Sequence, residues 1–161
     1  MRNTISSIES EYRKYKKLAE LAIDQLSDDE ILQPPAAGTN AIVSVVWHLS
    51  GNLKSRFTDF LTEDGEKPWR HREDEFTGRH VTRDDLLARW NEAWSTLFDS
   101  LQGLADSDLS AVVHIAGKPH RVDEALLRSL AHATYHVGQI VYYAKMLHAT
   151  DWKEPHAVEK K

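Results

Sequence analysis

The sequence predicts an all-α protein, a four-helix bundle with a short extended hairpin ahead of its last helix. Three observations carry this. Apolar residues recur at three- and four-residue steps over four stretches of roughly 20 residues each. The breaks between them hold most of the glycines and prolines. Outside those stretches no segment makes a convincing sheet, so helix packed on helix is the way left to bury the apolar faces.

The first stretch spans residues 2–26, with Ile5, Ile8, Tyr12, Tyr15, Ala19, Ala22 and Leu26 on one face and charges between them. Ser27-Asp28-Asp29 supplies capping and turn chemistry, and QPPAAGTN (Gln33–Asn40) breaks any helix, with Asn40 placed to cap the next one. A second helix is expected over 41–61, its stripe being Ile42, Val45, Val46, Leu49, Leu53, Phe57 and Phe60. Residues 63–81 form a connection of mostly alternating charge, longer than a helix hairpin needs, with Gly65, Pro68 and Gly78 as punctuation. Trp69 and Phe76 stand out there, because aromatic rings in a loop must pack somewhere.

Thr82, followed three residues later by Asp85, predicts the start of a third helix that runs to about Leu101. Leu86, Leu87, Trp90, Trp94, Leu97 and Leu101 form its stripe, and the two tryptophans supply much core area. VVHIAGKPHRV then reads as two short extended pieces around Ala116-Gly117-Lys118-Pro119. The last helix begins after Val122, where Asp123 and Glu124 suit a positive N-terminal end. The tail from Thr150 is expected to cross the surface or fray.

Composition narrows the function. The chain has 161 residues, 41% hydrophobic and 28% charged, ordinary values for one globular domain spanning 1–161. A net charge of −5 without blocks of like charge favours neither nucleic acid nor an anionic membrane, and the expected partner is a small-molecule substrate. There are no cysteines, which excludes disulfides, thiolate ligands and a cysteine nucleophile together. The longest apolar run, Ala41–Trp47, is too short to cross a bilayer, and no secretory h-region opens the chain, so a cytoplasmic protein is expected. No Gly-rich phosphate loop or Gly-x-Ser-x-Gly elbow occurs.

The chemistry concentrates in histidines. His132 and His136, four residues apart in the last helix, leave the same face about one turn apart, flanking the apolar stripe. Two neutral imidazoles so placed can hold one metal ion from a rigid helix. His48 sits on the corresponding flank of the second helix, with Asn52 and Asp59 beside it. If those two helices pack as neighbours, the three histidines converge with a coordination position left open. Nitrogen ligands suit zinc, nickel, copper or iron. His114 and His120, in the extended pieces, read as structural.

The stretches WHLSGNLKSRF (Trp47–Phe57) and LAHATYHVGQIVYYAK (Leu130–Lys145) resemble the DinB/YfiT-like superfamily, and His136–Ile140 matches its frequent H-x-G-Q motif. The loop DGEKPWRHREDEF (Asp64–Phe76) resembles a subfamily of unassigned function. The resemblance implies an up-down-down-up bundle, commonly dimeric, with one divalent metal, zinc or nickel foremost, on His48, His132 and His136. It also implies a choice of activities: S-transfer with a low-molecular-weight thiol such as bacillithiol or mycothiol as cosubstrate, isomerisation with such a thiol, hydrolysis, or a non-catalytic stress-response role in binding a metal or ligand. Asn52, Asp59, Tyr135 and Gln139 are the candidates for supporting the centre, and Arg56, Arg70 and Arg72 for holding an anionic substrate at its mouth. A homodimer is expected, with tryptophans on or near the third helix offering apolar surface for a two-fold contact.

Overall fold

The computed structural model of the chain describes residues 1–77 and 81–155. Its elements in chain order are α1 (Asn3–Ile23), α2 (Asp28–Leu32), α3 (Ile42–Phe57), α4 (Arg83–Gln102), β1 (Val112–Ile115), β2 (Lys118–Arg121) and α5 (Val122–Leu147). Two 3-10 turns, Arg72–Phe76 and Asp106–Ser110, lie in the connections. The four long helices are the expected four. The punctuating Gly78 and the end of the tail lie outside the described residues.

Contacts at the helix ends give the directions. Arg2 donates to the carbonyls of Leu101 (2.7 Å) and Leu104 (2.8 Å), so α1 starts where α4 ends. Tyr12 donates to Leu126 O (3.1 Å), while Gln25 and Lys153 exchange two hydrogen bonds of 2.8 Å, so α1 and α5 run parallel. Lys54, near the end of α3, reaches Glu92 midway along α4, while Val43 at the start of α3 shares a small pocket with Arg83 and Leu86 at the start of α4, so these two helices are also parallel. The order is therefore up-down-down-up. α3 and α5 are antiparallel neighbours, which brings the flank of one against the flank of the other.

The core lies between these helices. Tyr12, Leu49, Leu53, Trp90, Trp94, Leu97 and Leu126 are fully buried, each large side chain contributing roughly 1.5–3 kcal/mol by leaving water. Tyr12 stands edge-on to both Trp94 (6.1 Å) and Phe57 (6.3 Å), tying α1 to α3 and α4. Trp90 and Trp94 are spent wholly inside the chain and offer no surface to a second copy. The exposed large apolar side chains of α5 are Leu127, Tyr135, Tyr142 and Met146.

Some boundaries differ from expectation. Ser27 does cap, but it opens a short helix instead of a turn. Its hydroxyl accepts from Glu30 N (3.3 Å), and Glu30 accepts from Ser27 N (2.7 Å), a complete capping box. Asn40 does not cap α3: Ala41 is the N-cap residue and no side chain satisfies that end. α3 stops at Phe57, four residues short of the expected end, because Thr58 turns to an extended ψ of 123°. Thr82 caps α4 as expected, accepting from Asp85 N at 3.1 Å.

The hairpin forms as read. Ile115 pairs with Lys118 across Ala116 (φ 51°) and Gly117 (φ 73°), the two positive φ values that a tight type I′ turn requires. Its turn has a second use. Asp64 accepts from Ala116 N (2.8 Å) and Gly117 N (2.7 Å), and Gly65 N donates to His114 O (2.8 Å). The long connection is thereby fastened to the hairpin before it runs back over α3. Residues 150–155 cross the surface, with Trp152 packed against the core and Lys153 on Gln25.

Candidate metal centre

His48 on α3 and His132 and His136 on α5 meet where the two helices cross. One ring nitrogen from each lies within 4.8 Å of the others. His132 Nε2 is 3.3 Å from His48 Nε2 and 3.1 Å from His136 Nε2. Ligand nitrogens around a tetrahedral ion with bonds of about 2.0–2.1 Å stand about 3.3–3.4 Å apart, so these two spacings are close to it.

The protons fit as well. Glu75 Oε2 lies 2.8 Å from His48 Nδ1, and an ionised carboxylate only accepts, so Nδ1 carries the proton and Nε2 presents a lone pair. Gln139 Oε1 accepts from His136 Nδ1 at 2.8 Å, with the same consequence. Two lone pairs therefore face the Nε2 of His132, whose own Nδ1 is buried without a hydrogen-bond partner. Burial first, then the neighbouring His136 and His48, then Arg70 and Arg56, push His132 down to about 4, so an added proton does not relieve this crowding near neutrality. Burial also lowers His136, against the opposing hydrogen bond from Gln139. Three neutral donors on one point are what a divalent cation requires, and the group could bind one.

Glu75 is the residue that sequence reasoning missed. It reaches the site from the 3-10 turn, 3% exposed, and takes a two-pronged ion pair from Arg70 (2.8 and 2.9 Å). Burial opposes its charge, but the hydrogen bonds of Arg70 and then His48 outweigh it and hold the carboxyl below its usual range. Gly51 makes the room: a Cβ there would lie 2.0 Å from Glu75 Oε1. That glycine was the available signal, since glycine inside a helix costs about 1 kcal/mol relative to alanine and so marks a close approach. Phe76 covers His48, ring centroids 4.7 Å apart, which answers where that loop aromatic packs.

The other expected residues divide. Asn52, Arg56 and Arg70 line a cavity beside His48 and His132. Arg56 also binds Gly65 O (2.6 Å) and Glu66 (3.0 Å), and Arg70 is a buried partner of Glu75, not a free cation at the mouth. Arg72 borders the site with its guanidinium over Phe76. Tyr135 is exposed and sets its ring edge-on to His136, 5.0 Å between centroids. Asp59 is not at the site. It lies past the end of α3 at φ 49°, a conformation a short polar side chain tolerates, and lines a separate surface groove with Thr96 and Asp99. His114 borders the cavity from the hairpin, a position that spacing did not indicate.

Fold and site together define a helical bundle with a three-histidine group suited to a metal. The solved structures it resembles agree on the fold. A conserved protein from Enterococcus faecalis matches with a TM-score of 0.66 and 19% identity, covering 93% of this chain and 99% of that one. A DinB-like protein from Bacillus cereus matches at 0.64 and 17%, covering 87% and 89%. A DinB-like protein from Bacillus subtilis matches at 0.61 and 15%, covering 98% and 100%. No curated protein matches the chain. The fold is DinB-like, as the histidine-bearing stretches implied. Over residues 1–158 the chain matches, and belongs to, the family described as "Protein of unknown function (DUF1572)". Among the described residues no helix is long and apolar enough to cross a membrane.

Proposed function

We propose that the protein is a metal-dependent enzyme that transfers a low-molecular-weight thiol to a small electrophile. The observation that carries this is the convergence of three histidine Nε2 atoms beside open cavities, in a chain without cysteine. A divalent ion held there, zinc or nickel, would supply Lewis acidity that lowers the pKa of an incoming thiol. Having no thiol of its own, the protein must take it as cosubstrate. The thiol sulfur releases its proton to solvent water and forms a bond to an electrophilic carbon. The leaving group departs from that carbon with the bonding electron pair.

The chain's own residues keep the donors ready. Glu75 and Gln139 fix the tautomers of His48 and His136, and Arg70 keeps Glu75 ionised. Phe76 shields one face of His48 from water. Hydrolysis at the same centre is the alternative reading, with water in place of the thiol.

The protein is also proposed to act as a homodimer. Support comes from α5, where Leu127, Tyr135, Tyr142 and Met146 are exposed along one side. Gly138, where an added Cβ would meet nothing within 4 Å, sits in the same helix without a reason inside the chain.

Elemental analysis of untagged protein should find one divalent metal per chain, depleted by His136→Ala. The metal-loaded protein should conjugate thiol to an electrophile faster than His136→Ala does. Equal rates in the two would remove the catalytic reading and leave a metal-binding module.

A further inference from the structure

The three-histidine group stands between two cavities of different chemistry. On one side, a space of about 290 Å³ reaches His48 and His132 and is lined by Asn52, Arg56, Arg70, Arg72 and Arg128. On the other, a groove of about 680 Å³ runs from the same two histidines and His136 along Phe76, Ile140, Tyr142 and Tyr143. Arg72 borders both.

In the first cavity four guanidinium groups meet two carboxylates, Glu66 on Arg56 and Glu75 on Arg70. Arg72 and Arg128 have no carboxylate partner among the described residues, so the cavity holds about two uncompensated positive charges in a protein whose net charge is −5. Arginine forks match the planar oxygens of carboxylate and phosphate groups. The volume admits a small molecule only. The groove is the opposite case: Arg72 is the one charged residue among the described residues that line it, and aromatic and aliphatic side chains make up most of its walls.

We infer that the arginine-lined cavity is an oxyanion subsite, and that the centre takes its two reactants from opposite sides. A small molecule bearing a carboxylate or phosphate lies against Arg72 and Arg128, and an uncharged apolar molecule lies in the tyrosine-lined groove. This rests on the transferase reading, which needs two organic reactants where hydrolysis needs one.

The test uses full-length, zinc-loaded protein. Succinate and inorganic phosphate, titrated separately by calorimetry, probe the subsite and distinguish the two oxyanions. The uncharged dye N-phenyl-1-naphthylamine, followed by fluorescence, probes the groove. At least one oxyanion should bind, and the double variant R72Q/R128Q should weaken it about tenfold or more, through loss of charge-assisted hydrogen bonds. R128Q alone should leave dye binding unchanged, and dye and oxyanion should saturate together. No binding of either oxyanion at millimolar concentration, indifference to R72Q/R128Q, or mutual exclusion of dye and oxyanion would each overturn the inference. The metal reading fails separately. If the protein retains no zinc but R72Q/R128Q still weakens oxyanion binding, the subsite stands without the transferase. If zinc is held and the arginines do not matter, the reverse holds.

Discussion

Glu75 Oε2 lies 2.8 Å from His48 Nδ1, and the contact joins a residue on a loop to one on a helix 27 positions away. Arg70 grips the same carboxylate from five residues upstream, and Gly51 leaves the gap that it enters. A buried ionised carboxylate is tolerated because both its oxygens are engaged. One proton on His48 is thereby fixed in place, and with it the direction of the lone pair on Nε2.

If that lone pair belongs to a metal centre, Glu75→Gln should lower metal affinity by about 10–100-fold, the usual effect of losing a partner behind a histidine ligand. Gly51→Ala should act in the same direction by expelling the carboxylate. Competition against a chelator of known affinity measures both. Wild-type affinity in both variants would disprove the arrangement.

Histidine position should matter more than histidine type. His48→Ala and His132→Ala should each deplete the metal, whereas His120→Ala, on the hairpin, should retain it. His114→Ala should also retain it, because that residue borders the cavity outside the three-nitrogen group. Elemental analysis of the four purified variants decides this. Depletion that tracks His114 or His120 would move the site.

Burial lowers the pKa of His132 to about 4 in the folded chain, against about 6.5 unfolded. The unfolded state therefore takes up a proton between those values that the folded state refuses. The contribution of His132 to the stability of the chelator-treated protein should be flat above about pH 6.5, fall as the pH drops towards about 4, and level off below. Urea denaturation at several pH values would show it. His132→Phe, which removes the titrating ring, should reduce the slope in that window, and an unchanged slope would assign the effect elsewhere.

The far end of the bundle titrates with the opposite sign. His148, at the end of α5, contacts Glu30 of the α2 capping box (3.2 Å) and Asp151 (3.3 Å), which raise its pKa in that order. The backbone of Ser27 first, then its side chain and His148, lower Glu30. The raised histidine contributes stability below about pH 6.5, lost as pH rises through its folded pKa. The lowered carboxylate contributes above about pH 4.3, lost as pH falls through its own. The melting-temperature difference between wild type and His148→Gln should thus be widest near about pH 5.5 and shrink towards about pH 8. A difference that stays constant with pH would mean packing, not charge, holds this end.

Trp94 is fully buried and shares ring contacts with Tyr12, Trp90 and Phe98. Trp94→Ala should cost about 3–5 kcal/mol, while Trp69→Ala, on the half-exposed loop ring, should cost much less. Chemical denaturation compares them.

What the sequence by itself determined is whatever depends on short-range periodicity. Four apolar stripes place four helices, Ala116-Gly117 sets a hairpin turn, and the four-residue step from His132 to His136 puts two imidazoles on one face. His48 could be placed on a matching flank by the same arithmetic, because a helix projects its side chains at regular angles. The end of α3 was not legible, since an apolar stripe continuing to Phe60 does not show that Thr58 leaves the helix, and Asp59 was misplaced with it. Nor was Glu75, because a charged residue in a run of charges carries no period to tell a buried partner from a solvated one. Tertiary structure decided that. Asp64 fastens the loop to the hairpin, Arg70 offsets the charge, and Gly51 opens the space, so one carboxylate of the run is drawn out of water and onto His48. The orientation of α3 against α5, which turns two separate flanks into one site, likewise comes from packing across the whole bundle rather than from any local stretch.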